Sequence, residues 1–347
     1  MTLPRRHALA LLAACAAPWA RAQAPAQTPA IRTEDFDWHD RARDRAVPVR
    51  LHLPAAPERA TRRPLPLLVF SHGIGGSRAG YSYLGRHWAS QGWASLHLQH
   101  VGSDRQVWNG NPFGVVGRLH DAAQEAEALA RVADLRFAVD RVFAGELGAQ
   151  IDPARVVAAG HSYGANTTLL AAGAKVERGG RAIDLREPRL KAAIVISAPP
   201  FYGESSPQAI LAPVTLPTLH VTCTEDVIRI PGYYSPAEDR IAVFDAVGSA
   251  HKTLAVFQGG SHSMFTDRAG TGGAVLNPQV KAATQGLSLA FLKSVFDGDT
   301  EALPAWARRW DDIVVRFVEQ RAEPSVTPPP APPPPEAPRQ RAAFTTA

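Results

Sequence analysis

The chain has 347 residues, of which 45% are hydrophobic, and a formal net charge of +5 at pH 7. This is enough apolar material for the core of one large domain or two small ones. The basic excess lies partly at the two ends, and the sequence has no dense basic stripe interleaved with aromatic residues, which argues against nucleic-acid binding. It also has no P-loop, dinucleotide fingerprint or zinc-ligand spacing, so we expect neither a metal nor a cofactor.

Residues 1–22 have the composition of an export signal. Paired arginines at Arg5–Arg6 precede a short Ala/Leu run, and Ala20–Ala22 fits a signal-peptidase site. The arginine pair is also typical of the twin-arginine route. Leu12–Cys15 resembles a lipobox, and lipid on Cys15 would anchor the protein to a membrane. We therefore expect a periplasmic or secreted protein, with a lipoprotein anchored at Cys15 as the alternative.

Composition divides the rest of the chain into three parts. Residues 23–33 are typical of a flexible lead-in, residues 34–322 of one folded domain, and residues 323–347 of a disordered Pro-rich tail. After signal cleavage Cys223 would be left without a second cysteine, and its apolar strand predicts a small buried hydrophobe rather than a reactive thiol.

Continuous apolar runs alternate with helical patterns along the folded domain. After one or two edge strands within 36–53, strands are predicted at 65–70, 93–98, 155–159, 192–196, 216–223 and 253–257. Helices are predicted at 81–91, 119–143, 162–170, 237–247, 278–296 and 304–321. This alternation predicts a mostly parallel sheet of about eight strands with helices on both faces, and a ligand site beyond the carboxyl ends of its strands.

The pattern G-x-S-x-G occurs at Gly160–Gly164, between an apolar strand and an Ala/Leu-rich helix. That context is typical of a nucleophile elbow, in which a serine lies on a strained turn. Gly160 and Gly164 have no Cβ, so strand and helix can pass close together there. We interpret Ser162 as a nucleophile, with the start of the following helix beneath the position where an oxyanion forms.

A serine hydroxyl needs a base, and the base needs a carboxylate that fixes its tautomer. His262 follows the strand at 253–257 in a Gly-rich turn and is the predicted base, since His220 lies within a strand and His251 precedes one. Asp226 directly follows the strand at 216–223 and is the predicted acid. The adjacent Glu225 is the alternative, because neighbouring side chains point apart.

The tetrahedral intermediate needs backbone N–H donors for its negative oxygen. One donor is expected from Tyr163, the residue after the nucleophile. The other is expected from the Gly-rich turn His72–Gly76, with Ile74 as the donor, while His72 itself is expected to brace the loop.

Three stretches, Phe70–Arg78, Tyr81–Gly85 and Gly160–Ala165, together resemble the α/β-hydrolase superfamily. The resemblance is closest to the branch of dienelactone hydrolases, bacterial polyester hydrolases and platelet-activating-factor acetylhydrolases, and it covers about residues 45–297. It implies the α/β-hydrolase fold, serine catalysis and these roles: nucleophile Ser162, acid Asp226, base His262, and oxyanion donors Ile74 and Tyr163.

The chain departs from each of these relatives. Dienelactone hydrolases have a cysteine nucleophile where this chain has Ser162. Mammalian acetylhydrolases place the acid after an earlier strand, which here ends in Ser197–Pro200 without a carboxylate. Bacterial polyester hydrolases often have a C-terminal disulfide, which this chain does not have the cysteines to form.

We therefore expect a serine hydrolase that cleaves small or medium carboxylic esters, or esters derived from lipids or polyesters. The expected partner is a small-molecule ester, with no nucleic acid, and with a membrane only if Cys15 is lipidated. A serine peptidase or amidase, and a non-catalytic binding protein on a hydrolase scaffold, are the alternatives. The aromatic residues Trp108, Phe113, Phe201 and Tyr202 could line an apolar substrate site or serve ordinary loop packing.

Overall fold

A computed structural model of the chain describes residues 30–55, 64–230 and 232–321. The strands in these ranges are β1 (Ile31–Asp40), β2 (Arg45–Pro54), β3 (Leu65–Ser71), β4 (Ala94–Leu98), β5 (Ile151–His161), β6 (Lys175–Arg178), β7 (Arg181–Asp184), β8 (Leu190–Ile196), β9 (Thr218–Cys223), β10 (Ile228–Ile230), β11 (Tyr233–Ser235), β12 (Lys252–Phe257) and β13 (Val314–Gln320). The helices are α1 (Ser82–Ser90), α2 (Val115–Ala122), α3 (Glu125–Ala144), α4 (Tyr163–Ala172), α5 (Pro207–Leu211), α6 (Glu238–Ala246), α7 (Leu276–Asp297) and α8 (Ala302–Arg309).

Nine strands form one sheet in the order β1-β2-β4-β3-β5-β8-β9-β12-β13. All neighbours from β4 to β12 in that order are parallel. The strands β1, β2 and β13 add antiparallel pairs at the two edges. The predicted mostly parallel sheet is therefore confirmed, with one strand more than expected.

Helices cover both faces of the sheet, and alternate residues of β3 belong to different cores. Leu67 packs in a cluster that includes Val132 of α3 and residues of α4. Phe70 packs in a second cluster that includes Trp88 of α1 and residues of α7. A strand buried on both faces appears as a continuous apolar run, which is why the parallel strands β3, β4, β5, β8, β9 and β12 could be recognised in the sequence.

The predicted helix at 304–321 is wrong in its second half. Helix α8 ends at Arg309, and Val314–Gln320 forms β13, which pairs antiparallel with β12. Valine and phenylalanine in Val314–Val318 favour a strand, and the open edge of β12 supplies the hydrogen-bond partners that such a strand needs. The strand predicted at 253–257, which is β12, is therefore followed by one further strand that the sequence analysis did not predict.

Two other boundaries differ from the prediction. Strand β1 begins at Ile31, within the expected lead-in 23–33, because its hairpin with β2 extends pairing to Ile31 and Pro54. The helix predicted at 119–143 is two helices, α2 and α3, separated at Ala123 and Gln124. The hairpins β6–β7 and β10–β11 were not predicted and lie outside the main sheet.

The predicted signal at 1–22, the lead-in up to residue 29 and the Pro-rich tail from residue 323 lie outside the described residues. Export, lipidation at Cys15 and the nature of the tail therefore stay predictions. Within the described ranges, the structure has no helix with both the length and the hydrophobicity that a membrane span requires.

Candidate active site

Ser162 lies between the end of β5 and the start of α4, in the strand–turn–helix arrangement that its sequence context predicts. Its backbone has φ 56° and ψ −123°, a strained conformation for a residue with a side chain. A Cβ on Gly160 would lie 2.1 Å from the main-chain oxygen of Gly164, and a Cβ on Gly164 would lie 1.9 Å from that of Ser71. Both glycines are therefore required by close backbone approach, as expected.

The structure brings Ser162, His262 and Asp226 into one hydrogen-bonded chain. The distance from Ser162 Oγ to His262 Nε2 is 2.8 Å, and that from His262 Nδ1 to Asp226 Oδ1 is 2.7 Å. Because a carboxylate only accepts, Nδ1 carries the proton and Nε2 is free to accept the serine proton. This is the arrangement that activates a serine nucleophile.

Asp226 is fully buried and has several donors besides the histidine. The hydroxyl groups of Ser197 and Thr222 donate to Oδ2 at 2.5 and 2.8 Å, and Arg240 Nε lies 3.6 Å from Oδ1. Burial alone would raise the pKa of Asp226. This effect is outweighed by the charge and hydrogen bond of His262, the charge of Arg240 and the hydrogen bond from Ser197, so the pKa lies well below its usual range. The carboxylate therefore stays ionised beside the histidine.

The alternatives for acid and base do not reach this chain of contacts. Glu225 is exposed to solvent at the rim of the site. His220 is buried in β9 against Phe244, and the ring of His251 faces Phe291. Burial lowers the pKa of His220 to about 3, so this imidazole is neutral.

Cys223 is also buried, and burial raises the pKa of its thiol. A thiol that stays protonated is a poor nucleophile, which agrees with the predicted role as a small buried hydrophobe.

The expected oxyanion loop follows β3 and is held by its neighbours. Gly75 N donates to Ser103 O at 2.8 Å and Gly76 N donates to Gly73 O at 3.0 Å, whereas the amides of Ile74 and Tyr163 have no acceptor within the described part of the chain. His72 braces the loop as predicted, with Nδ1 donating to Gly73 O at 2.7 Å and Nε2 accepting from His100 N at 3.2 Å. The two expected donors thus remain available beside Ser162.

Sequence reasoning missed Arg131, a fully buried residue beneath the oxyanion loop. Its guanidinium donates to His72 O and, at 2.9 Å, to Thr167 Oγ1 on α4, and it lies 4.4 Å from the centre of the Tyr163 ring. Burial lowers the pKa of Arg131 to about 10, which leaves it charged at neutral pH. The burial of Arg131 could have been predicted, because helical spacing puts position 131 on the same face of α3 as the apolar residue Leu135.

Sequence reasoning also missed a buried connection between Tyr81 and His161. Tyr81 Oη accepts from Gly73 N at 3.3 Å and lies 2.9 Å from His161 Nδ1, while His161 Nε2 lies 2.9 Å from His262 O. Because a carbonyl only accepts, Nε2 carries the proton and Nδ1 accepts from the tyrosine. Burial, and then the charge of His262, lower the pKa of His161 to about 3, so the ring is neutral. The oxyanion loop and the histidine loop are joined through these two side chains.

Two depressions meet at Ser162. One is an apolar pocket of about 200 Å³ whose walls include Leu129 of α3, Leu170 of α4 and Ile183 of β7. The other is a wide groove of about 920 Å³ whose walls include His262 and Arg229. Phe201 and Tyr202 line the pocket and Trp108 lines the groove, whereas Phe113 is 94% exposed and lines neither.

Comparisons with known proteins agree with this architecture. Residues 46–106, which include most of β2, all of β3 and the oxyanion loop, match the family "Platelet-activating factor acetylhydrolase, isoform II". A ferulic acid esterase from Streptomyces cinnamoneus is structurally similar, with a TM-score of 0.58 and 21% sequence identity over 80% of this chain and 93% of that chain. A search of the curated proteins gives no match. The sheet and the structural likeness confirm that the chain has the α/β-hydrolase fold, and residues 46–106 resemble the platelet-activating-factor acetylhydrolase family.

Proposed function

We propose that the chain is a serine carboxylesterase with Ser162 as nucleophile, His262 as general base and acid, and Asp226 as the orienting carboxylate. The observation that carries this proposal is the continuous hydrogen-bond chain from Ser162 Oγ through His262 to the buried Asp226. The match to an acetylhydrolase family and the likeness to a ferulic acid esterase both support carboxylic ester hydrolysis.

In the first half-reaction Ser162 Oγ attacks the carbonyl carbon of the ester while His262 Nε2 takes the hydroxyl proton. The carbonyl π electrons move onto the oxygen, which accepts hydrogen bonds from the amides of Ile74 and Tyr163. When the intermediate collapses, the bond to the alcohol oxygen breaks, and His262 gives its proton to that oxygen. The products are a free alcohol and an acyl ester on Ser162.

In the second half-reaction water attacks the acyl carbon with His262 as its base. Collapse of the second intermediate breaks the bond to Ser162 Oγ, and His262 returns the proton to this oxygen. The carboxylic acid leaves and the resting hydroxyl is restored. Asp226 keeps the histidine in one tautomer through both halves and stabilises the imidazolium.

The proposed substrates are small or medium carboxylic esters, including esters released from lipids or polyesters. We retain export through residues 1–22 as part of this proposal, with a lipid anchor at Cys15 as its alternative. A peptidase, an amidase or a non-catalytic binding protein would each give a different result in the experiment below.

The test is hydrolysis of p-nitrophenyl butyrate by the wild-type protein and by Ser162→Ala, with the matching p-nitroanilide as a second substrate. We expect ester turnover that falls by at least about a thousandfold in the variant. A fluorophosphonate probe should label the wild type at Ser162 and leave the variant unlabelled. Turnover of the anilide at a comparable rate would favour an amidase, and neither turnover nor labelling would favour a binding protein.

A further inference from the structure

The two depressions at Ser162 are not equivalent, because His262 lines the groove and does not line the apolar pocket. Tyr163 shows the opposite distribution and lines only the pocket, while Ile74 lines both. A substrate bound across Ser162 therefore has one side next to the general acid and the other side next to α4.

The chemistry of the leaving group decides which side of the ester lies where. The alcohol oxygen must receive its proton from His262 Nε2, so this oxygen lies on the His262 side of Ser162. The acyl group extends to the other side, past Tyr163. On this basis, which rests on the proposed esterase function, we infer that the acyl group occupies the apolar pocket and the alcohol occupies the wide groove.

The volume of the pocket limits the acyl group that it can hold. An apolar cavity of roughly 150 Å³ takes one benzene molecule. The pocket of about 200 Å³ therefore suits a single ring or an unbranched chain of about six to eight carbons. An acetyl group would leave most of the apolar wall uncovered, and the far end of a palmitoyl chain would extend beyond the pocket.

The wall of the pocket contains a charged cluster that opposes longer chains. Arg178 of β6 lies 2.5 Å from Glu125 of α3 and 2.6 Å from Glu204, and all three residues line the pocket. A longer alkyl chain would have to separate these ion pairs or lie against them. Either arrangement removes water from charged side chains without giving them a new hydrogen-bond partner, which costs free energy. The pocket is accordingly selective for acyl groups of intermediate size.

The groove imposes a different selection on the alcohol. Its walls carry the exposed side chains of Arg105, Glu225, Arg229 and Arg268, and it is several times larger than the pocket. Because the groove is wide, an alkyl alcohol bound there would keep much of its own surface in water. The site should therefore respond strongly to added carbons on the acyl side and weakly to added carbons on the alcohol side.

Two isomeric esters test the orientation without a change in composition. Ethyl hexanoate and hexyl acetate have the same atoms and differ only in which side carries the long chain. With the release of acid followed in a pH-stat, we expect kcat/KM for ethyl hexanoate to exceed that for hexyl acetate by at least about tenfold. Equal values, or a preference for hexyl acetate, would overturn the assignment.

Variants in helix α3 test the pocket itself. Ala128 lines the pocket and Ala126 lies exposed on the same helix away from it, so Ala128→Phe fills the pocket and Ala126→Phe is the matched control. In a p-nitrophenyl series from acetate to palmitate, we expect an optimum at hexanoate or octanoate that moves to acetate or butyrate only in Ala128→Phe. An optimum at acetate or palmitate in the wild type, or equal shifts in both variants, would contradict the inference.

Failure of this inference is distinguishable from failure of the esterase proposal. If the esters are cleaved in a Ser162-dependent manner with the wrong chain preference, the pocket assignment is wrong and the esterase proposal stands. If no ester in either series is cleaved, the esterase proposal itself fails.

Discussion

The guanidinium of Arg131 lies 4.4 Å from the centre of the Tyr163 ring, and the same group donates a hydrogen bond to the main-chain oxygen of His72. These contacts join the two segments that carry the expected oxyanion donors, the loop after β3 and the first turn of α4. The nearby carboxylates Glu127 and Asp134 are paired with Arg45. Arg131 is thus a buried cation that fixes the relative position of the two segments.

We expect Arg131→Met to lower kcat by about ten- to a hundredfold, because the oxyanion donors lose their common support. KM for p-nitrophenyl hexanoate should change little, since Arg131 does not line the pocket. Methionine fills a similar volume without charge, so the fold should persist, and circular dichroism checks this. Arg131→Lys keeps the charge but not the planar fork and should recover only part of the rate. An unchanged kcat in folded Arg131→Met would assign the residue to stability alone.

The hydroxyl group of Tyr81 connects Gly73 of the oxyanion loop to His161. Tyr81→Phe keeps the ring against Phe70 but leaves a buried N–H and a ring nitrogen without partners. We expect it to lower the free energy of unfolding by about 1–3 kcal/mol and also to lower kcat, with urea denaturation and steady-state kinetics as the measurements.

The matched control for this variant is Tyr83→Phe. The hydroxyl group of Tyr83 donates to Phe265 O at 3.1 Å, so this variant also removes a hydrogen bond to the main chain. It should lower stability and leave kcat unchanged. A similar fall in kcat in both variants would show that the Tyr81 effect is not specific to the site.

Asp226 and Glu225 are adjacent carboxylates in very different surroundings. We expect Asp226→Asn to lower kcat by on the order of a thousandfold or more, because the asparagine cannot hold the histidine in the tautomer that accepts the serine proton. Glu225→Gln changes an exposed side chain and should retain activity within a fewfold. The measurement is kcat for p-nitrophenyl butyrate at pH 8 for both variants. Comparable losses would contradict the choice of Asp226 as the acid.

Buried neutral histidines should make the protein sensitive to acid. Burial lowers the pKa of His161 and His220 to about 3 and that of His100 to about 4, from an ordinary value of 6.5. Below pH 6.5 the unfolded chain therefore binds protons that the folded chain excludes, and stability falls as the pH drops toward 4. Each such histidine contributes up to about 1.4 kcal/mol per pH unit to this slope.

Urea unfolding between pH 7 and pH 4 measures this dependence. In His220→Gln the unfolded chain binds one proton fewer at acid pH. We therefore expect the slope of the unfolding free energy against pH to be smaller by up to about 1.4 kcal/mol per pH unit, whatever the stability of the variant at pH 7. His220 is suitable because it lies in β9 and lines neither the pocket nor the groove. An identical slope in the variant would mean that His220 is already protonated in the fold or does not titrate in the unfolded chain.

Much of the architecture could be read from local patterns. Strands buried on both faces, such as β3 and β5, appear as continuous apolar runs, and the glycines around Ser162 mark a turn at which no Cβ fits. The placement of Asp226 and His262 directly after strands predicted their meeting, because the carboxyl ends of parallel strands lie along one edge of a sheet. These features depend on neighbouring residues or on a general rule of parallel sheets.

Other features depend on contacts between segments that are far apart in the chain. Nothing local marks Arg131 as a neighbour of His72, and the link from Tyr81 to His161 spans 80 positions. The pocket needs α3, α4 and the hairpin β6–β7 together, and β13 forms a strand because β12 offers an open edge. The sequence by itself determined the fold class and the candidate triad. Packing decided the support of the oxyanion loop, the shape of the substrate site and the pairing of the last strand, because these arise from contacts between elements that are far apart in the chain.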